Sequence, residues 1–323
     1  MTALPAPGRG TAGSQVSDDE GVVSVKVLTR SLVRHAHVIA RENGARAILL
    51  YADVIEEDHD LRDLIEDVDF RVILVSRRQD FQAPAGWGDL CAIVRVPDIR
   101  MTRAGQVKVA TLVAAAQNLI RVGDRILCLT GVDGSGTIDT VIVLDLGVEI
   151  EMFADLAADP LPDDVTPAVF ERLLTLASEL GLEGREGRPV GTIFVVGDYE
   201  NVLQQSHQLV MNPFFGYPEG ERNLLDPRLE ETIKEFSAID GAFLVRGDGV
   251  VLAAGRCLTP RGKLEEALPQ GLGTRHEVAA EITMTTGAIA LCVSQSTGTV
   301  SIFRRGRMVT DIPKPRTSQV GGL

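Results

Sequence analysis

The sequence has 323 residues, a length that suits about two domains. Apolar residues make up 45% of it and aromatic residues only 4%, so the chain can build sizeable cores that are mainly aliphatic. The formal net charge is −13, which disfavours a broad nucleic-acid-binding surface but allows a local basic pocket for a small anion.

The cysteine pattern and the lack of long apolar runs predict a cytoplasmic protein. Cys91, Cys128, Cys257 and Cys292 are far apart in sequence and form no CxxC or Cys/His metal-binding spacing. Reduced thiols are therefore expected. No apolar run reaches transmembrane length, and the chain does not open on a signal-peptide pattern. We expect no membrane partner.

The first half of the chain predicts a disordered tail at residues 1–20 and an α/β domain at residues 21–158. The tail is rich in Pro, Gly, Ser and acidic residues without periodicity. The domain alternates helical and strand patterns. Its predicted elements are helices at 31–43, 61–67 and 106–119, and strands at 45–51, 71–76, 91–96, 125–130 and 140–145.

A glycine-rich segment, residues 131–136, joins two of these strands and could bind phosphate or form a turn. A phosphate-binding loop needs a following helix, whose N–H groups and dipole face the anion. An Ile/Val strand follows here, and no Gly-Lys-Ser/Thr ending is present. The pattern therefore favours a hairpin turn.

Part of this domain resembles the C-terminal domain of pyruvate kinase. The resemblance rests on residues 122–131 with 137–141, and on the helix–strand pair 34–40 and 47–51. It implies the fold of that domain and a regulatory or oligomerising role. It implies no kinase activity, because the catalytic residues of pyruvate kinase lie in another domain.

The second half of the chain predicts a linker at 159–167, a second α/β domain at 168–312 and a tail at 313–323. Prolines and acidic residues mark the linker. Asp226 and Pro227 are a typical N-cap and first helical residue. The predicted elements are helices at 169–180, 228–238 and 275–285, and strands at 191–196, 242–245, 250–254, 288–294 and 299–304, the last two forming a final hairpin.

Asp240, Gly241 and Ala242 are the first of three clusters in this domain that could carry chemistry. They stand where a polar turn enters an apolar strand. A carboxylate there can hold a metal at the sheet edge, and the small residues leave room for a ligand against the backbone. Taken alone, Asp-Gly is more often an ordinary turn.

The second cluster, residues 271–276, places two glycines before a Thr-Arg-His that opens a helix. Free N–H groups and the positive end of the helix dipole favour an anion there. Arg275 adds a guanidinium suited to phosphate, and His276 can bind a metal or donate to phosphate. The alternative is an ordinary loop with a surface arginine.

The third cluster, residues 294–299, is a polar turn between two apolar strands. Its hydroxyl groups could bind phosphate oxygens. A plain hairpin loop explains the composition nearly as well.

The order and spacing of the three clusters closely resemble the DisA-type diadenylate cyclase family. The resemblance covers roughly residues 165–310 and includes the strand 191–198, the hairpin 240–255 and the strand 297–304. It implies a mixed central sheet flanked by helices. Combined with the pyruvate-kinase-like segment, it looks like the archaeal-type arrangement of that family.

The resemblance implies a nucleotidyltransferase that condenses two ATP into cyclic di-AMP and two pyrophosphates. Each 3′-hydroxyl would attack the α-phosphate of the other ATP across a face-to-face pair of protomers in a homo-oligomer. Asp240 and His276 would bind a divalent metal (Mn, Mg or Co), and Asp240, Arg275 and His276 would be catalytic. The residues implied to bind ATP are Gly241, Ala242, Leu258, Gly273, Thr274, Arg275, His276, Ser294 and Gln295.

Two departures from the family pattern leave an alternative open. Glu277 stands where the family often has a third basic residue, and Gln295-Ser296 stand where many members have two glutamates. A catalytically degenerate domain that binds nucleotide as a sensor or scaffold would explain both. The helix-hairpin-helix domain of the DNA-scanning members does not follow, so we expect no nucleic-acid partner.

Overall fold

The computed structural model describes residues 18–54, 69–83, 86–87, 90–132, 135–146, 161–264 and 268–314. The predicted helix at 61–67 and most of both predicted tails lie outside these ranges. Within them, no helix has the length and apolarity needed to cross a membrane.

The first sheet has five strands in the order β3-β2-β1-β4-β5. The strands are β1 (Ala47–Tyr51), β2 (Arg71–Ser76), β3 (Cys91–Arg95), β4 (Arg125–Thr130) and β5 (Thr140–Asp145). The first four run parallel, and β5 pairs with β4 antiparallel, which confirms the hairpin predicted at 131–136. β1, β2 and β4 are largely buried, as their continuous apolar runs require, whereas β3 at the edge of the sheet is mostly half-buried.

Among the described residues, two helices cover this sheet. α1 (Asp18–Glu42) contacts β4 and β5, and α2 (Arg103–Ala116) contacts β3 and β4. α1 begins 13 residues before the predicted start at Ser31 (31 − 18). Its earlier turns mix valines with polar residues and a glycine. Thr29 is buried, and its hydroxyl accepts a hydrogen bond from the Ile138 N–H at 3.1 Å. This contact with a residue distant in sequence helps to hold the part of the helix that the apolar periodicity did not predict.

The second sheet has seven strands in the order β12-β11-β10-β6-β8-β9-β7. The strands are β6 (Thr192–Val196), β7 (Ser206–Gln208), β8 (Ala242–Val245), β9 (Val251–Leu258), β10 (Ile289–Val293), β11 (Val300–Arg304) and β12 (Arg307–Ile312). β6 and β8 are parallel, and every other neighbouring pair is antiparallel. The mixed sheet expected for this half of the chain is present.

α3 (Pro167–Glu183) and α6 (Thr274–Thr285) pack on opposite faces of the second sheet. Successive residues of a strand point to opposite faces. In β6, Phe194 packs into the core that includes α3, whereas Ile193 packs into the core that includes α6. The site residues on α6 are thereby held over one face of the sheet.

One α-helix and two strands among the described residues of this half were not predicted: α4 (Tyr199–Gln204), β7 and β12. β10 and β11 form the predicted hairpin, but it is not the last one of the domain. β12 follows β11 through a turn with positive φ at Arg305 and Gly306. Arginines at 304, 305 and 307 obscure the strand pattern there. The helix start at Asp226 is confirmed, since its carboxylate accepts from the Arg228 N–H at 2.9 Å, although a 3-10 turn precedes α5 (Glu230–Phe236).

The two halves meet through α2, which contacts α3 and β12. Lys108 on α2 is ion-paired with Asp311 on β12 at 2.9 Å. The Gln117 side chain, at the end of α2, donates to the Glu171 carboxylate on α3 at 2.6 Å. Burial raises the pKa of Glu171, against the opposing effect of the bond from Gln117 and the charge of Arg95.

Candidate active site

A cavity of about 230 Å³ opens at the edge of the second sheet where β6 and β8 begin and β9 ends. We call it the first cavity. Ile193, Ala242 and Arg256 are cross-strand neighbours on β6, β8 and β9, and they form its floor. The complete lining is Ile193, Leu209, Asp240, Gly241, Ala242, Arg256, Cys257, Leu258, Thr274, Arg275 and Val278.

Gly241 brings the start of β8 close to β9 and sets Asp240 at the rim. Its φ is 107°, and a Cβ built on it would lie 2.7 Å from the backbone nitrogen of Arg256. Only glycine adopts this conformation and tolerates this approach. The Asp240 side chain is 87% exposed, so its carboxylate is available at the mouth of the cavity.

Arg275 crosses the rim of the cavity. Its Nη2 donates to Oδ1 of Asp240 at 3.0 Å, and its Nη1 makes a long contact of 3.4 Å with Oε1 of Gln295. A Cβ on Gly191 would come within 3.0 Å of the same Nη1. The three predicted clusters therefore meet at this one side chain.

The N-terminus of α6 faces open space beside Arg275. The helix begins at Thr274 after Gly273, which has no side chain to cap the first N–H groups. A Cβ on Gly273 would meet no atom within 4 Å. An uncapped helix end next to a guanidinium favours an anion such as a phosphate.

His276 lies behind this helix end rather than in the lining of the cavity. The residue is 6% exposed, and its ring packs edge-on against Phe303 with centroids 6.1 Å apart. Burial, and to a smaller extent the charge of Arg275, lower its pKa, whereas the Gly273 carbonyl raises it. The imidazole is therefore neutral at pH 7. Its Nδ1 has no hydrogen-bond partner among the described residues.

A second cavity, of about 180 Å³, lies on the other side of Gln295. Ser294 to Gly298 form one wall, residues at the end of α3 and in the hairpin after it form another, and Lys314 contributes a positive charge. The Ser294 and Ser296 hydroxyls are 3.2 Å apart. The lining thus offers hydroxyl groups, one cation and the Glu183 carboxylate.

The structure brings most of the predicted site residues together, in two groups. Asp240, Gly241, Ala242, Leu258, Thr274 and Arg275 line the first cavity. Ser294 and Gln295 line the second. Gly273 flanks the first cavity, and His276 is buried behind it.

Sequence reasoning missed five residues of the first cavity: Ile193, Leu209, Arg256, Cys257 and Val278. The apolar ones look like core residues in sequence, and only the strand register brings them to the site. Arg256 could have been recognised, because a charged residue near the end of an otherwise apolar strand is rare and indicates a binding or structural role.

The side chains present fit a divalent metal only if the ligand set is completed by other molecules. In the parts of the chain that the structure describes, no three His, Cys, Asp or Glu side chains are grouped to hold a metal ion. Asp240 is a single exposed carboxylate. Mg²⁺ commonly binds through one or two carboxylates, waters and substrate phosphates. Asp240 suits a metal that is shared with a bound nucleotide.

Comparison with known proteins gives matches over both halves of the chain. Residues 179–308 match the family described as DisA bacterial checkpoint controller nucleotide-binding, and residues 28–153 match the family described as probable sensor domain DacZ_P. A diadenylate cyclase of Methanocaldococcus jannaschii is 37% identical over 197 residues, which cover 61% of this chain and 62% of that protein. A diadenylate cyclase of Haloferax volcanii is 35% identical over 204 residues, which cover 62% of this chain and 71% of that protein.

Among solved structures, a hypothetical membrane spanning protein from Bacillus cereus is 26% identical with a TM-score of 0.34. That match covers 46% of this chain and 64% of the other.

The mixed sheet and the matched families define an α/β protein in which a DisA-type domain follows an N-terminal domain of the DacZ_P type. Within that class, the chain belongs to the DisA-type diadenylate cyclase family. The match spans less than two thirds of the Methanocaldococcus relative, at 62% of its length.

Proposed function

We propose that this protein condenses two ATP molecules into cyclic di-AMP. Each ribose 3′-oxygen forms a bond to the α-phosphorus of the other ATP, and the bond from that phosphorus to the pyrophosphate oxygen breaks. Two phosphodiester bonds form, two pyrophosphates leave, and the two hydroxyl protons pass to acceptors at the site or to water. The relatives named diadenylate cyclase support this reaction.

One observation carries the proposal: Asp240, Thr274, Arg275 and Leu258 line a single cavity although they come from three separate segments of the chain. The cavity combines an apolar end with a cationic, carboxylate-bearing rim. Those are the surfaces that a purine base and a phosphate chain require.

Each residue has a distinct role in the proposed reaction. Arg275 and the N-terminus of α6 stabilise the negative charge that builds on the α-phosphate. Asp240 receives the divalent metal and favours loss of the 3′-hydroxyl proton. Thr274 binds a phosphate oxygen, and Leu258 packs against the base. His276, neutral and buried, orients the first turn of α6 and touches the phosphates or the metal only after a shift of that turn.

A divalent metal, Mn, Mg or Co, supplies Lewis-acid activation of the phosphate and a template that aligns the two reactants. A second protomer is required because one ATP cannot close the ring. The Asp240 side chain at the rim is 87% exposed, which supports a face-to-face pair because the facing site of a second protomer can approach it directly.

The second cavity suits the β- and γ-phosphates. Ser294 and its neighbours present hydroxyl groups, Lys314 adds a cation, and Gln295 links this cavity to Arg275. The Glu183 carboxylate in the same lining can share a metal ion with these phosphates. A phosphate chain that begins at the α6 N-terminus would continue into this space as it leaves.

The direct test is a product assay. The full chain is incubated with ATP and Mn²⁺ or Mg²⁺, and the products are separated by chromatography with mass detection. Cyclic di-AMP together with pyrophosphate is expected. The absence of cyclic di-AMP under both metals, with nucleotide binding intact, would refute catalysis.

A nucleotide-binding sensor or scaffold is the alternative, and Glu277 is the residue that favours it. Glu277 lies in the first turn of α6 in place of a basic residue, where its charge opposes that of the phosphates. It is exposed and lines neither cavity, which favours catalysis over this alternative.

We infer that the N-terminal half, residues 21–158, is a regulatory domain with the fold of the pyruvate kinase C-terminal domain, joined by residues 159–167 to a catalytic domain at 168–312. Four parallel strands with an antiparallel edge strand support this fold, and the match to a probable sensor domain supports the role.

Cytoplasmic location is supported by four free cysteines.

A further inference from the structure

Arg256 extends into the face of the second sheet that holds the first cavity. It pairs with Ala242 across β8 and β9, and with Gln208 across β9 and β7. Residues paired in this way project from the same face of a sheet. Ala242 belongs to the core beneath α6, so the Arg256 side chain enters on that side.

Among the described residues, the guanidinium of Arg256 is held by neutral groups. Its Nε donates to the Ser206 hydroxyl at 2.9 Å, and its Nη2 donates to the Ser206 carbonyl at 2.8 Å. Nη1 has only a long contact of 3.4 Å with Oε1 of Gln208. Within the described parts of the chain, Arg256 forms no ion pair.

This arrangement leaves a fixed, partly buried cation with spare donor capacity. A guanidinium has five N–H donors, and Nη1 contributes two of them. Burial lowers the pKa of Arg256, and no carboxylate of the described residues counteracts that effect. The two short bonds to Ser206 orient the planar group, so the remaining N–H groups point in a defined direction.

The position of Arg256 along the cavity indicates which part of a nucleotide it would meet. Asp240 and Arg275 mark the phosphate end, at the helix N-terminus. Leu209 and Leu258 mark the apolar end, and Arg256 stands with them beside β7. A purine at that end presents apolar faces to the leucines and ring nitrogens, which are acceptors, along its edges.

We propose that Arg256 is a base-recognition residue whose Nη1 donates a hydrogen bond to a ring nitrogen of the adenine. The inference rests on the proposed function, because it takes ATP as the occupant of the first cavity. It adds a polar contact at the end of the site where the family resemblance supplied only an apolar one. Arg256 would thereby contribute to base selection.

The test compares ATP with its 1-deaza, 3-deaza and 7-deaza analogues, each of which replaces one ring nitrogen by C–H. Affinity of the full chain for each nucleotide is measured by competition with a fluorescent ATP analogue. The wild-type protein is expected to bind one of the three analogues about tenfold more weakly than ATP, the size of one charge-assisted hydrogen bond. Arg256→Met should bind ATP about tenfold more weakly and should show no further loss with that analogue.

Three further variants separate base recognition from structural support. Ser206→Ala removes the hydroxyl at Nε but keeps the guanidinium, so the analogue pattern should persist. Arg261→Met removes an exposed arginine outside the cavity lining and should bind all four nucleotides as the wild type does. If Arg256→Met does not fold, Arg256→Lys serves instead, and a reduced analogue penalty is expected.

Two results would overturn the inference while leaving the proposed function standing. One is an Arg256→Met protein that loses affinity equally for ATP and all three analogues, which would indicate a phosphate contact or a structural role. The other is unchanged affinity for ATP. A wild-type protein that does not bind ATP at all would instead refute the proposed function.

Discussion

At the scale of single residues, Asp240 is exposed and makes no contact that the fold depends on, apart from its ion pair with Arg275. We expect Asp240→Asn to reduce the rate of cyclic di-AMP synthesis by about 100-fold or more, because the amide has no charge to hold a metal or to favour proton loss. Exposed ion pairs contribute little to stability, so the melting temperature should not change.

The control for this variant is Asp248→Asn. Asp248 is also an ion-paired surface carboxylate of the second half of the chain, but it pairs with Arg246 away from both cavities. It should leave the rate unchanged. Full synthesis by Asp240→Asn would remove this carboxylate from the mechanism.

Glu277 gives a second prediction at this scale. The sequence places an acid next to the phosphate-binding residues, but the structure shows its side chain exposed and outside both cavities. Glu277→Arg and Glu277→Gln should therefore change KM for ATP by no more than about twofold, the range of a screened surface charge. A KM that falls about tenfold in Glu277→Arg alone would mean that the side chain does reach the phosphates.

At the scale of elements, the residue that leads into β6, Gly191, lies close to Gln295 in the third cluster and to Arg275. A Cβ on Gly191 would lie 2.8 Å from the Cβ of Gln295 and 3.0 Å from Nη1 of Arg275. Gly191→Ala must therefore displace one of them. We expect KM for ATP to rise several-fold. The free energy of unfolding should also fall, since overpacking costs about 1–3 kcal/mol.

Gly220→Ala is the matched control, because a Cβ at Gly220 would meet nothing within 4 Å. Initial rates over a range of ATP concentrations and thermal melts are measured for both variants. Equal KM values for Gly191→Ala and the wild type would show that Arg275 does not depend on this contact.

The elements also show what the sequence could predict. The strands β2, β4, β5 and β8 agree with the predicted bounds to the residue, because their apolar runs are bounded by turns or charges. β7 has only three residues and no apolar pattern, so nothing local distinguishes it from a loop. The site was predicted where a motif carries it, as at Asp240 and Arg275. Leu209 and Val278 required the tertiary structure.

At the scale of the whole molecule, Glu171 is buried where the two halves of the chain are in contact. Its carboxylate is held against Gln117 of α2, and burial raises its pKa above the unfolded value of 4.5. The folded state then binds more protons than the unfolded state once the pH exceeds 4.5. Stability is lost as the pH rises through the folded pKa.

We expect Glu171→Gln to stabilise the protein at pH 7 and to flatten the fall in unfolding free energy above pH 4.5. The glutamine keeps an oxygen that accepts from Gln117 but has no charge to desolvate. Denaturant unfolding between pH 4.5 and 8 provides the measurement, with Glu183→Gln, an exposed residue of the same helix, as the control. A parallel pH dependence in Glu171→Gln and the wild type would contradict this account.

The position of α2 has a consequence for how the first half of the chain can act on the second. Its Lys108 is bonded to β12, which leads into Lys314, and its Gln117 is bonded to α3, which carries Gly181. Lys314 and Gly181 both line the second cavity, and both lie next to Gly298 in its wall. α2 is thus bonded to the two segments that hold this part of the wall. A signal that displaces α2 would shift the wall and would appear as a change in substrate saturation before any change in maximal turnover.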